Sequence, residues 1–303
     1  MSATPEVQPF FDERTNTLSY LVFDAQTRDA VVIDPVLDFE PGGGALSTTS
    51  LERLADFIGA HQLKVHLALE THVHADHLSG SRWLRDRFGA QVAIGRGVTE
   101  VQAVFNARFG RGDAPADGHQ FDLLLEHRQV LRAGALTLEA LATPGHTPAC
   151  MSFLVGDAVF TGDALFLDDV GVGRCDFPRG SAAALYESVT RQLFTLPEQT
   201  RVYVGHDYPP AGRTWSAATT VGEARRANVQ LRAGQPLEDF VARRTARDRT
   251  LAPPRLLYPS LQVNLVAGAL PPEDRHGWRA FVLPVTGPAN SRDRDAVLPS
   301  PGP

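Results

Sequence analysis

Short apolar runs, each ended by glycine, proline or charged residues, recur along the first two thirds of the chain. Two of them, LSYLVFDA and AVVIDP, are separated only by QTRD, a spacing typical of a β-hairpin. Later runs of the same character are LKVHLALE, QVAIG, HRQVLRAG, ALTLEALAT, CMSFLVGD, AVFTGD and RVYVGH. This pattern predicts two successive halves that are both rich in β-strands.

Segments with helical spacing lie between these strands. TTSLERLADFIGAHQL places Leu51, Leu54, Ala55 and Ile58 on one face, and a Thr or Ser ahead of them can cap the helix. The segments SRWLRDRFG, VTEVQAVFNARFG and SAAALYESVTRQLFTL also fit a helix. Strands interleaved with helices predict an α/β fold, with two stacked sheets covered by helices on the outside.

The chain changes character after Pro209. GEARRANVQLR and PLEDFVARRTARD are predicted to be basic helices, and LLYPSLQVNLVAG is an apolar closing segment. From about Pro284 the chain is rich in Pro, Ser and charged residues, a composition typical of disorder. We therefore predict one domain over 1–283, whose helical closing segment is 209–283, followed by a disordered tail over 284–303.

Composition narrows the class of protein. The 303 residues are 43% hydrophobic and 21% charged, which is ordinary globular composition. A net charge of −6 without a Lys/Arg-rich run predicts no nucleic-acid partner, and no apolar stretch approaches the ~20 residues that cross a bilayer. The first fifteen residues do not combine a charged leader with an apolar run, so we expect no secretion signal, and two cysteines cannot build a disulfide framework. We expect a cytoplasmic protein without a membrane partner.

The most informative stretch is THVHADH at residues 71–77. It places His72, His74, Asp76 and His77 within six positions, just past the end of the strand LKVHLALE. His72 and His74 are two residues apart in extended chain, so their side chains share one face. Imidazole and carboxylate groups at this density are typical of a metal site.

Three later groups follow strands in the same way. His146 comes after LEALAT through a Pro-Gly turn, Asp163 after AVFT through a glycine, and His206 after RVYV through a glycine. Polar groups beyond the carboxyl ends of strands are where α/β folds gather their sites. Together the five histidines and two aspartates suit zinc, iron or manganese.

Ligand number leaves the metal count open. Seven groups exceed the four that a structural zinc needs, and they could hold two metals with one aspartate shared, as in two-metal hydrolases. Asp34, which ends the strand VVID, either orients a ligand through its carboxylate or simply forms a turn. Cys150 is predicted to be a core residue. The remaining histidines have no such context: His61, His66, His119, His127 and His276.

THVHADH, together with PGHT, TGD and GHD, resembles the motif set of the metallo-β-lactamase superfamily. The resemblance covers roughly residues 8–210 and implies an αβ/βα sandwich of two mixed sheets flanked by helices. It does not fix the reaction, because hydrolases, nucleases and oxygenases share this fold.

Downstream stretches narrow the family. DALFLDDVGVGRCDFPRGSAAALYESV, VYVGHDY and TTVGEARRANVQL resemble the persulfide dioxygenases, the sulfur dioxygenases related to the mitochondrial ethylmalonic-encephalopathy protein. YPSLQVN resembles their longer bacterial type and extends the match to about residue 272. Glyoxalase II typically has GKFYEG where this chain has GRCDFPRG, and HEY where it has HDY. It also ends in a basic glutathione-binding segment that this sequence does not reveal.

The resemblance implies oxidation of glutathione persulfide by O2 and water to sulfite and glutathione, and a homodimer is a family expectation. It implies one Fe(II) per chain, held by His72, His146 and Asp163, with three positions left for substrate and dioxygen. The remaining four groups would orient these ligands or donate hydrogen bonds: His74, Asp76, His77 and His206.

Two further residues are candidates for contact with substrate. Tyr208, beside His206, could hydrogen-bond the substrate, or could simply pack there. Arg174 could bind a glutathione carboxylate, and its alternative is an ion pair with Asp176 that stabilises the loop. The expected catalytic set is His72, His146, Asp163, His206 and Tyr208.

Two other functions compete with the dioxygenase. The complete set of seven groups suits a dinuclear zinc hydrolase of glutathione thioesters, of glyoxalase II type. A sensor that binds metal or persulfide without turnover is the third, and no appended DNA-binding segment in the sequence supports it.

Overall fold

The computed structural model describes residues 5–285 of the protein. The predicted tail therefore lies outside the described residues from 286 onwards. In chain order the strands are β1 (Glu6–Asp12), β2 (Thr17–Phe23), β3 (Asp29–Ile33), β4 (Val36–Glu40), β5 (Ala45–Ser47), β6 (Lys64–Leu69), β7 (Leu78–Ser79), β8 (Gln91–Gly95), β9 (Leu123–Leu125), β10 (Gln129–Ala133), β11 (Leu136–Ala142), β12 (Met151–Val155), β13 (Ala158–Phe160), β14 (Arg201–Tyr203) and β15 (Ala218–Thr220). The helices are α1 (Thr49–His61), α2 (Ser81–Phe88), α3 (Val98–Arg108), α4 (Ala182–Ser188), α5 (Val221–Ala227), α6 (Leu237–Asp248) and α7 (Leu257–Asn264).

Two six-stranded sheets form the body of the fold. The first has the order β1-β2-β3-β6-β8-β9, antiparallel from β1 to β3 and parallel from β3 to β9. The second has the order β10-β11-β12-β13-β14-β15, in which only the β13–β14 pair is parallel. A small sheet of order β5-β4-β7 lies beside them. Both main sheets are mixed, as the sequence predicts.

The alternation of side chains along β2 explains how the layers stack. Tyr20 and Val22 point into the apolar core shared with the second sheet, where Phe153 and Phe160 are also buried. Leu21 and its neighbours on the opposite face pack against α1, α2 and α3 in a second cluster. Because a strand presents alternate residues to opposite faces, a strand between two layers buries the side chains of both faces. Every residue of β2 is buried.

Most of the predicted elements are confirmed. The β2–β3 hairpin pairs Tyr20 with Ile33, and α1 buries the four apolar residues expected of it. Thr48 occupies the N-cap of α1 but makes no capping hydrogen bond through its side chain, so the predicted cap is wrong in its chemistry. The helix predicted over GEARRANVQLR ends at Ala227, and the long helix from Ala182 continues as a π-helix over Val189–Leu193.

The closing segment packs against the part of the chain that carries the metal motif. Leu261 and Leu265 of this segment join the cluster under the first sheet, whereas Val263 meets Leu78 of β7 in a separate cluster. Helix α7 therefore lies directly beside residues 70–79. No helix within residues 5–285 is long and apolar enough to span a bilayer.

Candidate metal centre

The seven predicted ligands converge although they come from both sheets. Residues 72–77 follow β6 of the first sheet, His146 lies between β11 and β12, Asp163 follows β13, and His206 follows β14. Because β13 and β14 are parallel neighbours, their carboxyl ends deliver Asp163 and His206 to the same edge. All five histidines are buried. The structure thus brings together every group that the strand-exit pattern singles out.

Asp163 lies between two groups of candidate ligands. Its Oδ2 is 3.5 Å from His146 Nε2, and its Oδ1 is 3.3 Å from His206 Nε2. Potential ligand atoms of His72, His146 and Asp163 all lie within 4.8 Å of one another. Those of a second group, His74, Asp76 and His206, meet the same distance. The geometry therefore accommodates the predicted three-residue site and leaves room for a second one.

Hydrogen bonds at Nδ1 fix the orientation of three of the histidine rings, those of His77, His146 and His206. The Nδ1 atom of His146 is 2.6 Å from the carbonyl oxygen of Arg174, and that of His77 is 3.1 Å from the carbonyl of Leu78. His206 uses Nδ1 toward the carbonyl of Asn16 in the same way, at 3.2 Å. A carbonyl accepts only, so Nδ1 carries the proton and Nε2 keeps a lone pair, as a metal-binding imidazole requires.

The ring of His74 has the opposite orientation, with Nε2 and not Nδ1 beside other protein groups. Its Nε2 lies 3.0 Å from Asp34 Oδ1 and 3.5 Å from Glu70 Oε2, so Nδ1 is the nitrogen left to face the centre. Asp34 also accepts the backbone N–H and the hydroxyl of Thr71, both at 2.7 Å. Burial alone would lower the pKa of His74, but the charges and hydrogen bonds of Asp34 and Glu70 raise it well above its usual value. Asp34 therefore contacts a candidate ligand, and its role in orienting that ligand stays a prediction.

The unpartnered atoms of the centre test whether a metal fits. Several buried ring nitrogens and carboxylate oxygens have no hydrogen-bond partner within residues 5–285: His72 Nε2, His74 Nδ1, His77 Nε2, Asp76 Oδ2 and Asp163 Oδ1. Leaving so many polar atoms unpaired in one buried place is costly. A cation bound among them would satisfy these atoms, and nitrogen with carboxylate oxygen suits zinc, iron or manganese. The residues present fit a metal.

The electrostatics favour the metal-binding protonation states of His72, His77 and Asp76, whereas the raised pKa of His74 favours its protonated form. Burial and the neighbouring histidines lower the pKa of His72 well below its usual value. Burial, followed by His74, lowers the pKa of His77 to about 4. Although burial raises the pKa of Asp76, the charges of His206 and His77 lower it overall. Neutral imidazoles and ionised carboxylates are the forms that bind metals.

A cavity of about 420 Å³ opens over the centre, and His77, His146, Asp163 and His206 line it. Tyr208 also lines it, half-exposed, with its ring stacked on that of His206 at 5.7 Å between centroids. The phenol is therefore well placed for the predicted contact with substrate, which stays a prediction.

Arg174 lines the same cavity but is already engaged. Its Nε lies 2.6 Å from Asp176 Oδ1, and a second donor lies 2.7 Å from Oδ2, which makes a bidentate ion pair. A third donor reaches the carbonyl of Ala252 at 2.8 Å. The alternative foreseen in the sequence, a loop-stabilising ion pair, is thus present. Direct contact of Arg174 with substrate stays a prediction.

Two cavity residues were missed by the sequence reasoning. Arg247, near the end of α6, and Arg255, in the following loop, both line the cavity with exposed side chains. Within residues 5–285 neither forms an ion pair with a carboxylate within 4.0 Å. Arg247 belongs to a run of arginines that looks like an ordinary solvated helix face, and Arg255 follows that run in the loop. The approach of that run to the cavity has no signature in the sequence.

The remaining candidates lie elsewhere. His66 pairs with Asp29 at 2.6 Å, and His119 pairs with Asp117 at the surface. Cys150 is buried just before β12, where burial raises the pKa of its thiol to about 12. A neutral, enclosed thiol agrees with the predicted core role.

Comparison with known proteins places these features in a family. The model of the metallo-beta-lactamase superfamily matches residues 12–206. A probable metallo-hydrolase of Burkholderia pseudomallei is 47% identical over 92% of this chain and 98% of its own length. The Glyoxylase B2 of Dictyostelium discoideum is 39% identical over 94% of this chain and 98% of its own. This chain spans 65% of the length of the beta-lactamase hydrolase-like protein of Agrobacterium fabrum, which is 41% identical.

Persulfide dioxygenases are also among the similar proteins. The human mitochondrial persulfide dioxygenase ETHE1 is 37% identical over 74% of this chain and 75% of its own length. The crystal structure of ETHE1 from Myxococcus xanthus superposes with a TM-score of 0.69 and 34% identity, over 87% of this chain and all of that one. The predicted αβ/βα fold is thereby confirmed. The chain belongs to the metallo-beta-lactamase superfamily.

Proposed function

We propose that the protein is a persulfide dioxygenase that acts on glutathione persulfide. One persulfide, one dioxygen and one water would give one glutathione, one sulfite and two protons, so that the outer sulfur is oxidised and dioxygen is reduced. The observation that carries the proposal is the close set of two imidazoles and one carboxylate, His72, His146 and Asp163, two of which line the cavity. That ligand type is typical of non-haem Fe(II) oxygenases.

A ferrous ion held by these three side chains would supply the redox chemistry that zinc lacks. Similarity to ETHE1 from two organisms supports this assignment of the metal. The stretches GRCDF and HDY, which separate the sequence from glyoxalase II, support it further.

The cavity offers the means to hold glutathione. Glutathione carries two carboxylates, and Arg247 and Arg255 present two guanidinium groups that no carboxylate in residues 5–285 pairs within 4.0 Å. A guanidinium pairs with a carboxylate through charge-assisted hydrogen bonds. Phe166, Val172 and Leu251 add apolar wall, which limits the access of water to the reacting sulfur. The phenol of Tyr208, which lines the cavity beside His206, would donate a hydrogen bond to the persulfide.

A second function is favoured by a specific observation. The group His74, Asp76 and His206 forms a complete second set of ligands on the other side of Asp163. Two zinc ions there would suit hydrolysis of a glutathione thioester. The Glyoxylase B2 of Dictyostelium discoideum, at 39% identity, keeps this alternative open.

One preparation separates the two functions. The protein is purified without oxygen, its metals are counted, and it is supplied either with glutathione persulfide in aerated buffer or with lactoylglutathione without air. We expect close to one iron per chain, oxygen uptake only with the persulfide, and sulfite as product. Absence of oxygen uptake in iron-loaded protein, with two zinc ions and rapid thioester cleavage, would establish the hydrolase instead.

A further inference from the structure

One side chain of the closing segment bonds directly to the loop that carries the metal motif. Asn264, in the last turn of α7, is buried and lies about 190 residues away in sequence. Its amide nitrogen donates to the carbonyl oxygens of His74 and His77, each at 2.8 Å. Its amide oxygen accepts the backbone N–H of Ser79 at 2.7 Å. The amide of Asn264 thus bonds to three backbone groups within residues 74–79.

The loop needs such partners because it has no regular structure of its own. Residues 70–77 contain neither helix nor strand, so their backbone groups lack the partners that a ladder provides. In a buried loop, an unpaired carbonyl carries a desolvation penalty. The two donors of Asn264 remove that penalty only when the carbonyls of His74 and His77 both point at α7. The same bonds therefore select one path of the loop.

The path of the loop backbone determines the orientation of the His74 and His77 rings. The ring of His77 is tied to its own loop through Nδ1 and the carbonyl of Leu78. The ring of His74 meets Glu70, and Glu70 in turn accepts the hydroxyl hydrogen bonds of Ser79 and Ser81. Ser79 thus joins both systems, through its N–H to Asn264 and through its hydroxyl to Glu70. A displacement of the Asn264 side chain would therefore affect the His74 backbone directly and the His74 ring through Ser79 and Glu70.

We propose that Asn264 is a positioning residue for the metal centre. From the C-terminal helix it fixes the path of residues 74–79 and thereby the direction of the His74 and His77 rings. The closing segment, and with it the YPSLQVN stretch, is then part of the catalytic apparatus. The inference rests on the proposed metal centre and holds for either reaction, since it concerns the placement of ligands and their neighbours.

The same helix supplies a matched control. Gln262 is also a buried amide, two residues earlier on α7. Its nitrogen donates to the carbonyls of Tyr258 and Val282, each at 2.9 Å, and its oxygen accepts the N–H of Val282 at 2.8 Å. It makes the same kinds of bonds as Asn264, but to the chain near residue 282 and not to the metal loop. Variants at Gln262 therefore test the effect of perturbing α7 and its contact with Val282, without removing a bond to the metal loop.

The test compares Asn264→Asp with Gln262→Glu, which both replace an amide NH2 by oxygen and remove two donors. Each metal-free protein is titrated with Co(II) up to two equivalents, its visible absorption is recorded, and affinity is measured against a competing chelator. We expect Asn264→Asp to change the Co(II) spectrum and weaken binding by about 10- to 100-fold, as loss of a ligand-orienting partner does. Gln262→Glu should keep the wild-type spectrum and affinity within about twofold, although its thermal midpoint falls.

Two results would overturn the proposal. The first is a wild-type spectrum and affinity in folded Asn264→Asp, and the second is an equal change in Gln262→Glu, which would reveal a general effect of α7. If Asn264→Asp does not fold, Asn264→Ser, which keeps a hydroxyl donor, is measured and judged by the same outcomes. Iron-loaded wild-type protein that consumes no oxygen with glutathione persulfide would refute the dioxygenase, whereas the cobalt comparison of the two variants would remain valid.

Discussion

The Nε2 atom of His206 lies 3.3 Å from Oδ1 of Asp163. The other oxygen of the same carboxylate points toward His146. Asp163 can therefore bind one metal through the oxygen near His146, or it can bridge two metals, the second of which His206 Nε2 would also bind. One bound metal would favour the dioxygenase, and two would favour the hydrolase. Substitution of His206 distinguishes the two arrangements.

Removal of a ligand should release iron, whereas removal of His206 should not. We expect His72→Ala, His146→Ala and Asp163→Ala to lose iron and activity together, because each takes away one of three metal bonds. His206→Ala should retain close to one iron per chain and lose activity. The measurement is iron content after anaerobic dialysis. Equal loss of iron in His206→Ala would show that the division of the ligands is wrong.

The cavity arginines should act on substrate affinity. We expect Arg247→Ala and Arg255→Ala each to raise KM for glutathione persulfide by about three- to tenfold with little change in kcat, a modest effect because both side chains are exposed. Arg243→Ala, on the same helix but outside the cavity, is the control.

A modified ligand tests whether the effect comes from the carboxylates. Reduced glutathione and its diethyl ester are compared as competitive inhibitors of the wild type and the two variants. The ester should bind all three proteins equally, since it has no carboxylate to pair. A loss of ester binding equal to that of glutathione would assign the arginines to general packing.

Substitution of Arg174 should destabilise the protein more than it weakens substrate binding. The side chain of Asp176 is only 11% exposed and would lose its bidentate partner, at a cost of about 1–3 kcal/mol in the free energy of unfolding. We expect Asp176→Asn to cost a similar amount and the double variant to cost less than the sum. Urea unfolding of the three variants gives these values. Unchanged stability of Arg174→Ala with a tenfold rise in KM would instead establish direct contact with substrate.

The metal-free protein should lose stability as the pH falls from about 6.5 to 4.5. An unfolded histidine has a pKa near 6.5, whereas in the fold burial lowers the pKa of His77 to about 4. The unfolded state therefore binds more protons throughout that range, which favours unfolding by about 2 kcal/mol at pH 4.5 for His77 alone. The depressed pKa of His72 acts with the same sign.

His74 does not oppose this trend in that range. Its raised pKa means that it is protonated in both states below about pH 6.5, so it contributes no slope there. Urea unfolding of metal-free protein at several pH values checks the prediction, with His77→Gln expected to show a shallower dependence. A stability that stays constant over the same range in the wild type would contradict it.

The candidate metal-binding residues could be predicted from the sequence because the position of each follows from the strand that precedes it. A polar residue three or four positions after an apolar strand lies near the edge of a sheet, and parallel neighbours such as β13 and β14 bring their ends together. The strands and helices with long periodic patterns were predictable for the same reason.

Contacts across the chain had no such local signal. Asn264 meets His77 over 187 positions, and a buried asparagine at the end of an apolar helix looks like an isolated polar residue. Six strands were also missed: β1, β4, β5, β7, β9 and β15. All but β1 have only two to five residues, which carry too little pattern to be distinguished from loop. What sequence could not give is how the closing segment folds back onto the centre.

In the proposed centre the two main sheets would contribute different ligands to the same ion: His72 follows a strand of the first sheet, and Asp163 follows a strand of the second. A bound ion would consequently join the N-terminal and C-terminal halves of the chain at a single point. Ligands that bind only the folded state stabilise it by mass action. Cellular iron supply should then govern how long each copy of the protein survives proteolysis, so that depletion of the metal lowers its abundance as well as its turnover.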